Sequence, residues 1–225
     1  MSMPIRLAAL DMAGTTVADD GAVEEAFQRA LDAVDLTAGA LRDDPGEYVR
    51  RTMGQSKIEV FAELLGGDRH RAGRANTAFE AAFDQAVDRG EVAALPGSAE
   101  CFAALRDGGV RICLTTGFSP ATRDRILDAL AWRGLVDLAL SPADAGRGRP
   151  WPDMILTAVL RLRIDDVTEV AVAGDTTSDL LAGSRSGASI VAGVLTGAHN
   201  RAELAEAPHT HLLDSIADLP ALVLG

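Results

Sequence analysis

The 225-residue chain is predicted to be an α/β protein, with a Rossmann-like parallel sheet carrying helices on both faces and an inserted α-helical cap domain. Three observations predict this. Short apolar runs alternate with helical patterns, the order of a parallel sheet with crossover helices. Each apolar run ends on polar residues. Between the first run and the second, a long stretch breaks the alternation and reads as helix throughout. The expected division is residues 1–17 and 96–225 for the core and 18–95 for the cap.

The first run, Ile5 to Leu10, ends at Asp11. In the cap, Val23, Ala26, Phe27, Ala30, Leu31 and Val34 recur at helical spacing, and Ile58, Val60, Phe61, Leu64 and Leu65 form a second pattern. Ser56, with Glu59 three residues later, reads as a capping box, which puts Lys57 in the first turn of that second helix. Gly and Pro punctuate the junctions around Val17 to Gly21 and Leu95 to Gly97, so these are the natural hinges. Gly108 and Gly109 close the helix before the next strand, Val110 to Leu114, which ends at Thr115 and Thr116. Ser119 and Pro120 then read as the N-cap and first-turn proline of a helix closed by Gly134. Val136 to Leu140 ends at Ser141, and Val170 to Ala173 ends at Gly174 and Asp175. In open α/β sheets, ligands bind outside the carboxyl ends of the strands, where these polar residues converge.

Composition narrows the function classes. Hydrophobic residues at 48% and charged residues at 24% describe a chain that folds on its own rather than a disordered one. A net charge of −12 opposes a phosphate backbone, so no nucleic-acid partner is expected. No apolar run approaches the ~20 residues of a membrane span, and the amino terminus lacks a signal-peptide pattern, so no membrane partner and a cytoplasmic location are expected. Cys101 and Cys113 lack metal-finger spacing and read as buried apolar residues, while His70, His199, His209 and His211 lie outside every motif and read as surface residues.

The chemistry starts at Asp11, which alone reads equally as a helix cap or loop residue. Gly174-Asp175-Thr176-Thr177-Ser178-Asp179 adds two carboxylates after another strand, and hard oxygen ligands of this kind suit Mg²⁺. Thr116, followed by Gly117, offers a hydroxyl and backbone N–H groups to a phosphate oxygen, and Arg149 can place a fixed positive charge beside a phosphoryl group. A small anionic substrate fits an acidic protein if a metal and local cations reverse the field inside the site.

Four stations in this order on an α/β pattern resemble the motifs of the haloacid dehalogenase superfamily, along the whole chain, with the cap inserted where that superfamily inserts one. The resemblance implies that Asp11 attacks phosphorus and that Thr15, Thr116, Gly117 and Arg149 hold the phosphoryl oxygens. It further implies Mg²⁺ held by Asp11, the backbone carbonyl of Ala13 and Asp175, with Asp179 close by. The expected partner is a small phosphorus-containing anion, and the resemblance points to a homodimer through the cap.

Ala13 and Lys57 sharpen the expectation. Phosphatases of the superfamily carry a second aspartate two positions after the nucleophile, which protonates the leaving alkoxide; alanine cannot. A departing carbanion, by contrast, needs an electron sink, and an imine on a lysine amine is one. Among 21 basic side chains Lys57 is the single lysine, in a helix first turn where the macrodipole disfavours a cation. Ala13 together with Met53-Gly54-Gln55-Ser56-Lys57-Ile58 resembles the phosphonoacetaldehyde hydrolase branch, in which the cap lysine forms a Schiff base with the substrate. That branch has a cysteine near the position of Gly21, a histidine where this chain has Val60, and a tyrosine where it has Phe118. The alternative is a phosphatase of small phosphomonoesters, of the phosphoglycolate type, with an atypical general acid. Met53, Gly54 and Phe118 are the expected substrate-facing positions around Lys57.

Overall fold

The computed structural model describes residues 4–18, 21–34 and 45–225. The chain runs β1 (Leu7–Asp11), β2 (Val17–Ala18), α1 (Ala22–Asp32), α2 (Pro45–Arg51), α3 (Lys57–Leu64), α4 (Arg69–Asp88), β3 (Ala93–Ala94), α5 (Ser98–Asp107), β4 (Arg111–Thr115), α6 (Pro120–Ala129) and β5 (Leu138–Leu140). It continues through α7 (Pro142–Ala145), α8 (Asp153–Leu162), β6 (Val170–Gly174), α9 (Thr177–Ser186), β7 (Ile190–Val194), α10 (Arg201–Ala205), β8 (His211–Leu213) and α11 (Leu219–Leu224).

Six strands form one sheet in the order β5-β4-β1-β6-β7-β8, every neighbouring pair parallel. This is the Rossmann-like arrangement predicted. β1, β4 and β6 read as near-continuous apolar runs because both their faces are covered: α5 and α11 pack on one side, α8 and α9 on the other. β7 and β8, which the sequence reading had not assigned, extend the sheet on the far side of β6.

After β1 the chain leaves the sheet, passes among the described residues through four helices, and returns at α5. These helices pack on each other, α1 and α3 against α4, around Phe27, Phe61, Phe79 and Phe83, all buried. Two sequence expectations are corrected. The stretch is not helical throughout: Val17–Ala18 and Ala93–Ala94 pair as a two-stranded antiparallel ribbon where the chain crosses to and from the helices. The Ser56–Glu59 capping box does not form; Ser56 is the N-cap without a side-chain bond, and the Glu59 carboxylate instead takes a bidentate pair from Arg69 at 2.7 and 2.9 Å. Lys57 still opens α3. Ser119 does cap α6, accepting from the Thr122 amide, but that helix ends at Ala129 rather than at Gly134, with Ala131 taking the left-handed turn. No described helix is long and apolar enough to cross a membrane.

Candidate active site

From β1 the chain order of the sheet runs outward through β4 and β5 on one side and through β6, β7 and β8 on the other, so the carboxyl ends of β1 and β6 flank the point where direction reverses. Asp11 ends β1 and Asp175 follows β6, which brings the two carboxylates together. Asp179 joins them through a capping box: Thr176 is the N-cap of α9, its amide donates to Asp179 Oδ2 at 3.1 Å, and the Asp179 amide donates to Thr176 Oγ1 at 3.3 Å. The other Asp179 oxygen, Oδ1, accepts from Arg149 Nη1, which also donates to Asp11 Oδ1. The Nε of Arg149 is buried without a hydrogen-bond partner among the described residues, an N–H donor suited to an oxyanion.

The three carboxylates can each place an oxygen within 4.8 Å of the others, and all are buried. Burial pushes the Asp11 carboxyl well above its ordinary value; Arg149 opposes this and the neighbouring Asp179 and Asp175 add to it. Asp175 is pushed up to about 6, by burial first and Asp179 second, against the Ala198 amide and the Thr15 hydroxyl. Burial also works against the charge on Arg149, but Asp11 and Asp179 outweigh it and hold the guanidinium protonated. Three carboxylates facing one guanidinium leave an excess of negative charge on hard oxygens, a donor set that fits a divalent cation such as Mg²⁺.

The loop after β7 braces this floor. The Ala198 amide donates to Asp175 Oδ2 at 2.7 Å, Thr196 Oγ1 donates to the Gly14 carbonyl at 2.7 Å, and the His199 amide donates to the Asp175 carbonyl at 3.3 Å. A Cβ on Gly197 would lie 2.0 Å from Asp175 Oδ2, and one on Gly14, whose φ is +85°, would lie 2.5 Å from it. Both positions need glycine because the backbone passes against a carboxylate. His199 is a further correction: it is buried, and its Nδ1 accepts from the Thr177 amide at 3.1 Å, tying this loop to α9. The other three histidines are exposed, as expected, and both cysteines are buried.

Opposite the carboxylates lies an aromatic roof. Lys57, at the start of α3, is only 6% exposed. Its Nζ lies 5.3, 5.4 and 5.9 Å from the ring centroids of Phe27, Phe118 and Phe79. Phe118 comes from the loop after β4 and packs on Phe83 of α4 at 4.6 Å, so the inserted helices and the sheet domain share one apolar cluster. The loop before α3 presses onto the floor. Gly54, at φ +80°, has no room for a Cβ beside Thr176 Oγ1 (2.7 Å), and a Cβ on Gly117 would lie 2.3 Å from the Gln55 carbonyl.

Floor and roof enclose a cavity of about 430 Å³. Asp11, Ala13, Thr116, Gly117, Arg149 and Asp175 line it from the sheet side. Met53, Gly54 and Lys57 line it from the helices, with Phe118 between. Two sequence-predicted residues do not line it: Thr15 is buried beneath, donating to Asp175 Oδ1 at 3.1 Å, and Asp179 sits behind Arg149. Thr116 is anchored by its amide to the Leu140 carbonyl at 3.0 Å, and its Oγ1 accepts from the Phe118 amide at 3.2 Å.

The family model of the haloacid dehalogenase-like hydrolases matches residues 5–187. The chain belongs to this family. Among its relatives, a phosphonoacetaldehyde hydrolase of Pseudomonas putida is 34% identical over 106 residues, covering 47% of this chain and 38% of that protein. The chain therefore matches well under half the length of that relative. The "Probable phosphatase IndB" of Dickeya dadantii is 27% identical over 216 residues, 95% of this chain and 91% of that one. Among solved structures, a phosphonoacetaldehyde hydrolase-like protein of Oleispira antarctica superposes with a TM-score of 0.82 at 23% identity, covering 99% of this chain and 92% of the other, which is agreement in fold.

In this haloacid dehalogenase-like hydrolase several site residues escaped the sequence reading. Gly14 and Thr196 to Ala198 carry no charge and no recognisable spacing, and only the fold brings them to Asp175. Glu24 reads in sequence as an ordinary first-turn acid of α1, yet it lines the cavity. A glycine next to a buried carboxylate is a signal that exists only in three dimensions.

Proposed function

We propose that the protein is a Mg²⁺-dependent phosphonatase-like hydrolase that cleaves the carbon–phosphorus bond of phosphonoacetaldehyde or a related aldehyde phosphonate. The observation that carries this reading is that Lys57 and Asp11 line one cavity, with Ala13 where an alkoxide-protonating aspartate would stand. The likeness to the Pseudomonas putida phosphonoacetaldehyde hydrolase supports it.

In this reading Asp11, Asp175 and the Ala13 carbonyl would hold Mg²⁺, with Asp179 close by. The ion supplies charge neutralisation to the phosphoryl group when bound. Arg149 and Thr116 orient the phosphoryl oxygens, the Arg149 Nε being the donor left over from its two carboxylates. The Lys57 amine condenses with the aldehyde and releases water, giving an iminium. Asp11 then attacks phosphorus, the C–P electron pair moves into the iminium as an enamine, and an aspartyl phosphate remains on Asp11. Water hydrolyses the aspartyl phosphate, and the enamine returns through the iminium to acetaldehyde and free Lys57. The Phe27, Phe79 and Phe118 rings keep bulk water from the amine.

The near full-length likeness to the probable phosphatase of Dickeya dadantii favours a second reading, hydrolysis of small phosphomonoesters with a general acid other than residue 13. One experiment separates them. The protein is incubated with phosphonoacetaldehyde and Mg²⁺, reduced with borohydride, and weighed intact and as peptides. An adduct on Lys57, with phosphate release that Lys57→Arg abolishes, is the expected result. No adduct, with turnover of phosphoglycolate, overturns it in favour of the phosphatase.

A further inference from the structure

Imine chemistry needs a proton carrier at the carbonyl end of the substrate, and the histidine expected near the lysine is replaced by Val60, which is buried and apolar. Among the described residues lining the cavity, the titratable ones are Asp11, Glu24, Lys57, Arg149 and Asp175. Four of these already have work at the phosphoryl group or as the amine. We propose that Glu24 is a catalytic acid–base residue that carries protons to and from the substrate carbon skeleton. This rests on the Lys57 imine reading given above.

Placement supports the assignment. Glu24 sits in the first turn of α1, three residues before Phe27, so the two share a helix face. The Phe27 ring is 5.3 Å from Lys57 Nζ, and Val23 beside Glu24 lines the same cavity as Lys57. Glu24 is exposed while Lys57 is buried, so a residue that lines the cavity is also open to proton exchange with solvent. The adjacent Glu25 has a different occupation: it pairs with Arg29 one turn along α1, at 2.6 Å. Both acids favour the helix amino terminus equally, so the cavity position is particular to Glu24.

The protons balance. Glu24 passes a proton from solvent to the carbinolamine hydroxyl, which leaves as water and yields the iminium. After P–C cleavage Glu24, reprotonated from solvent, delivers a proton to the terminal enamine carbon, forming the methyl group and regenerating an iminium. The resulting carboxylate takes a proton from the water that attacks this iminium, and the carbinolamine collapses to acetaldehyde and the Lys57 amine. Glu24 then returns this proton to solvent, and the cycle closes.

The test uses the full chain with Mg²⁺ and phosphonoacetaldehyde, comparing wild type with Glu24→Gln, Glu24→Ala and Glu25→Gln. Loss of one acid–base group costs ~10²-fold or more in turnover, so Glu24→Gln is expected to fall by about that factor while Glu25→Gln stays at the wild-type rate. The Glu24→Gln protein should form the borohydride-trapped Lys57 adduct more slowly than wild type, and should release phosphate ahead of acetaldehyde because the enamine waits for its proton. Formate should restore part of the Glu24→Ala rate, a response no helix-capping role would give. Turnover of Glu24→Gln within about twofold of wild type, or equal losses in the Glu25→Gln control, overturns the proposal while leaving the wild-type adduct intact. A wild type that forms no Lys57 adduct overturns the imine reading and the role of Glu24 with it.

Discussion

The floor and the roof of the cavity are both buried and are opposite in physical character. The floor gathers Asp11, Asp175, Asp179 and Arg149, with burial working against the charges of Asp11, Asp175 and Arg149. The roof places a single ammonium among phenyl rings, three of them within 6 Å of Lys57 Nζ. Burying like charges opposes folding, whereas aromatic pairs contribute ~0.5–1.5 kcal/mol each beyond their buried area. The floor is thus a reaction site held in place at a cost to stability, and the roof is part of the core that offsets that cost. In the proposed mechanism the division continues into chemistry, with phosphorus handled below and the carbon skeleton above.

The sharpest way to break this comparison is to remove the nucleophile. Asp11→Asn should lower turnover by ~10⁴-fold or more, because an activated nucleophile and its supporting groups act as a unit. The same variant should fold at least as stably as wild type without metal, since it deletes a buried carboxylate whose ionisation is disfavoured. A marked loss of melting temperature in metal-free Asp11→Asn would mean the floor is not destabilising. The mirror experiment is in the roof. Phe79 is fully buried and packs on Phe27 at 4.9 Å and on Phe61, Phe83 and Phe118 at 6.1 Å. Phe79→Ala should cost about 3–5 kcal/mol of unfolding free energy, read from denaturant titration, while leaving Mg²⁺ affinity of the folded protein unchanged. A coupled loss of metal affinity would show that floor and roof are not separable.

Gly197→Ala tests the floor's bracing and should have a smaller effect. A Cβ there meets Asp175 Oδ2 at 2.0 Å, so the carboxylate must move, and a displacement near 1 Å costs ~10²-fold in rate. Mg²⁺-dependent stabilisation, followed by thermal melting, should weaken in parallel; an unchanged metal response would mean that the loop gives way instead of Asp175.

The two regions also differ in how far the sequence revealed them. Asp11, Thr116, Asp175 and Asp179 stand at strand ends or in the first turn of the next helix, where local pattern locates them, and Arg149 stands in the loop before α8, marked by the prolines that follow it. The sheet was legible for the same reason, because β1, β4 and β6 are apolar runs with polar stops. Lys57 was legible through its rarity and its poor helix position. The aromatic box was not, since Phe27, Phe79 and Phe118 come from three separate elements and each alone reads as core. The Thr196 to His199 loop was invisible because its hold on Asp175 is through backbone amides and an absent Cβ, neither of which leaves a mark on composition. His199 read as surface because nothing in sequence places it behind Asp175.

The smallest effect separates the floor's charge from its packing. Asp175 is shifted upward from its ordinary 3.8 to about 6, so the folded protein holds that proton more tightly than the unfolded chain. The stability this provides is complete below about 4 and is lost as pH rises through about 6; Asp11, shifted in the same direction, adds to the loss. Exposed carboxylates such as Glu91 and Asp128 are held below their ordinary values by Arg89 and Arg133 and push the other way, gaining stability as pH rises. The informative quantity is therefore the melting temperature of metal-stripped wild type minus that of Asp175→Asn across pH 4 to 7. That difference should fall by a few degrees as pH rises, because the variant lacks the buried charge. Saturating Mg²⁺ should reverse the sign above pH 6, when the cation neutralises in wild type what it can hold only weakly in the variant. A difference independent of pH would mean that the hydrogen bonds from Ala198 and Thr15 already satisfy the Asp175 charge, and that the floor is stable without a cation.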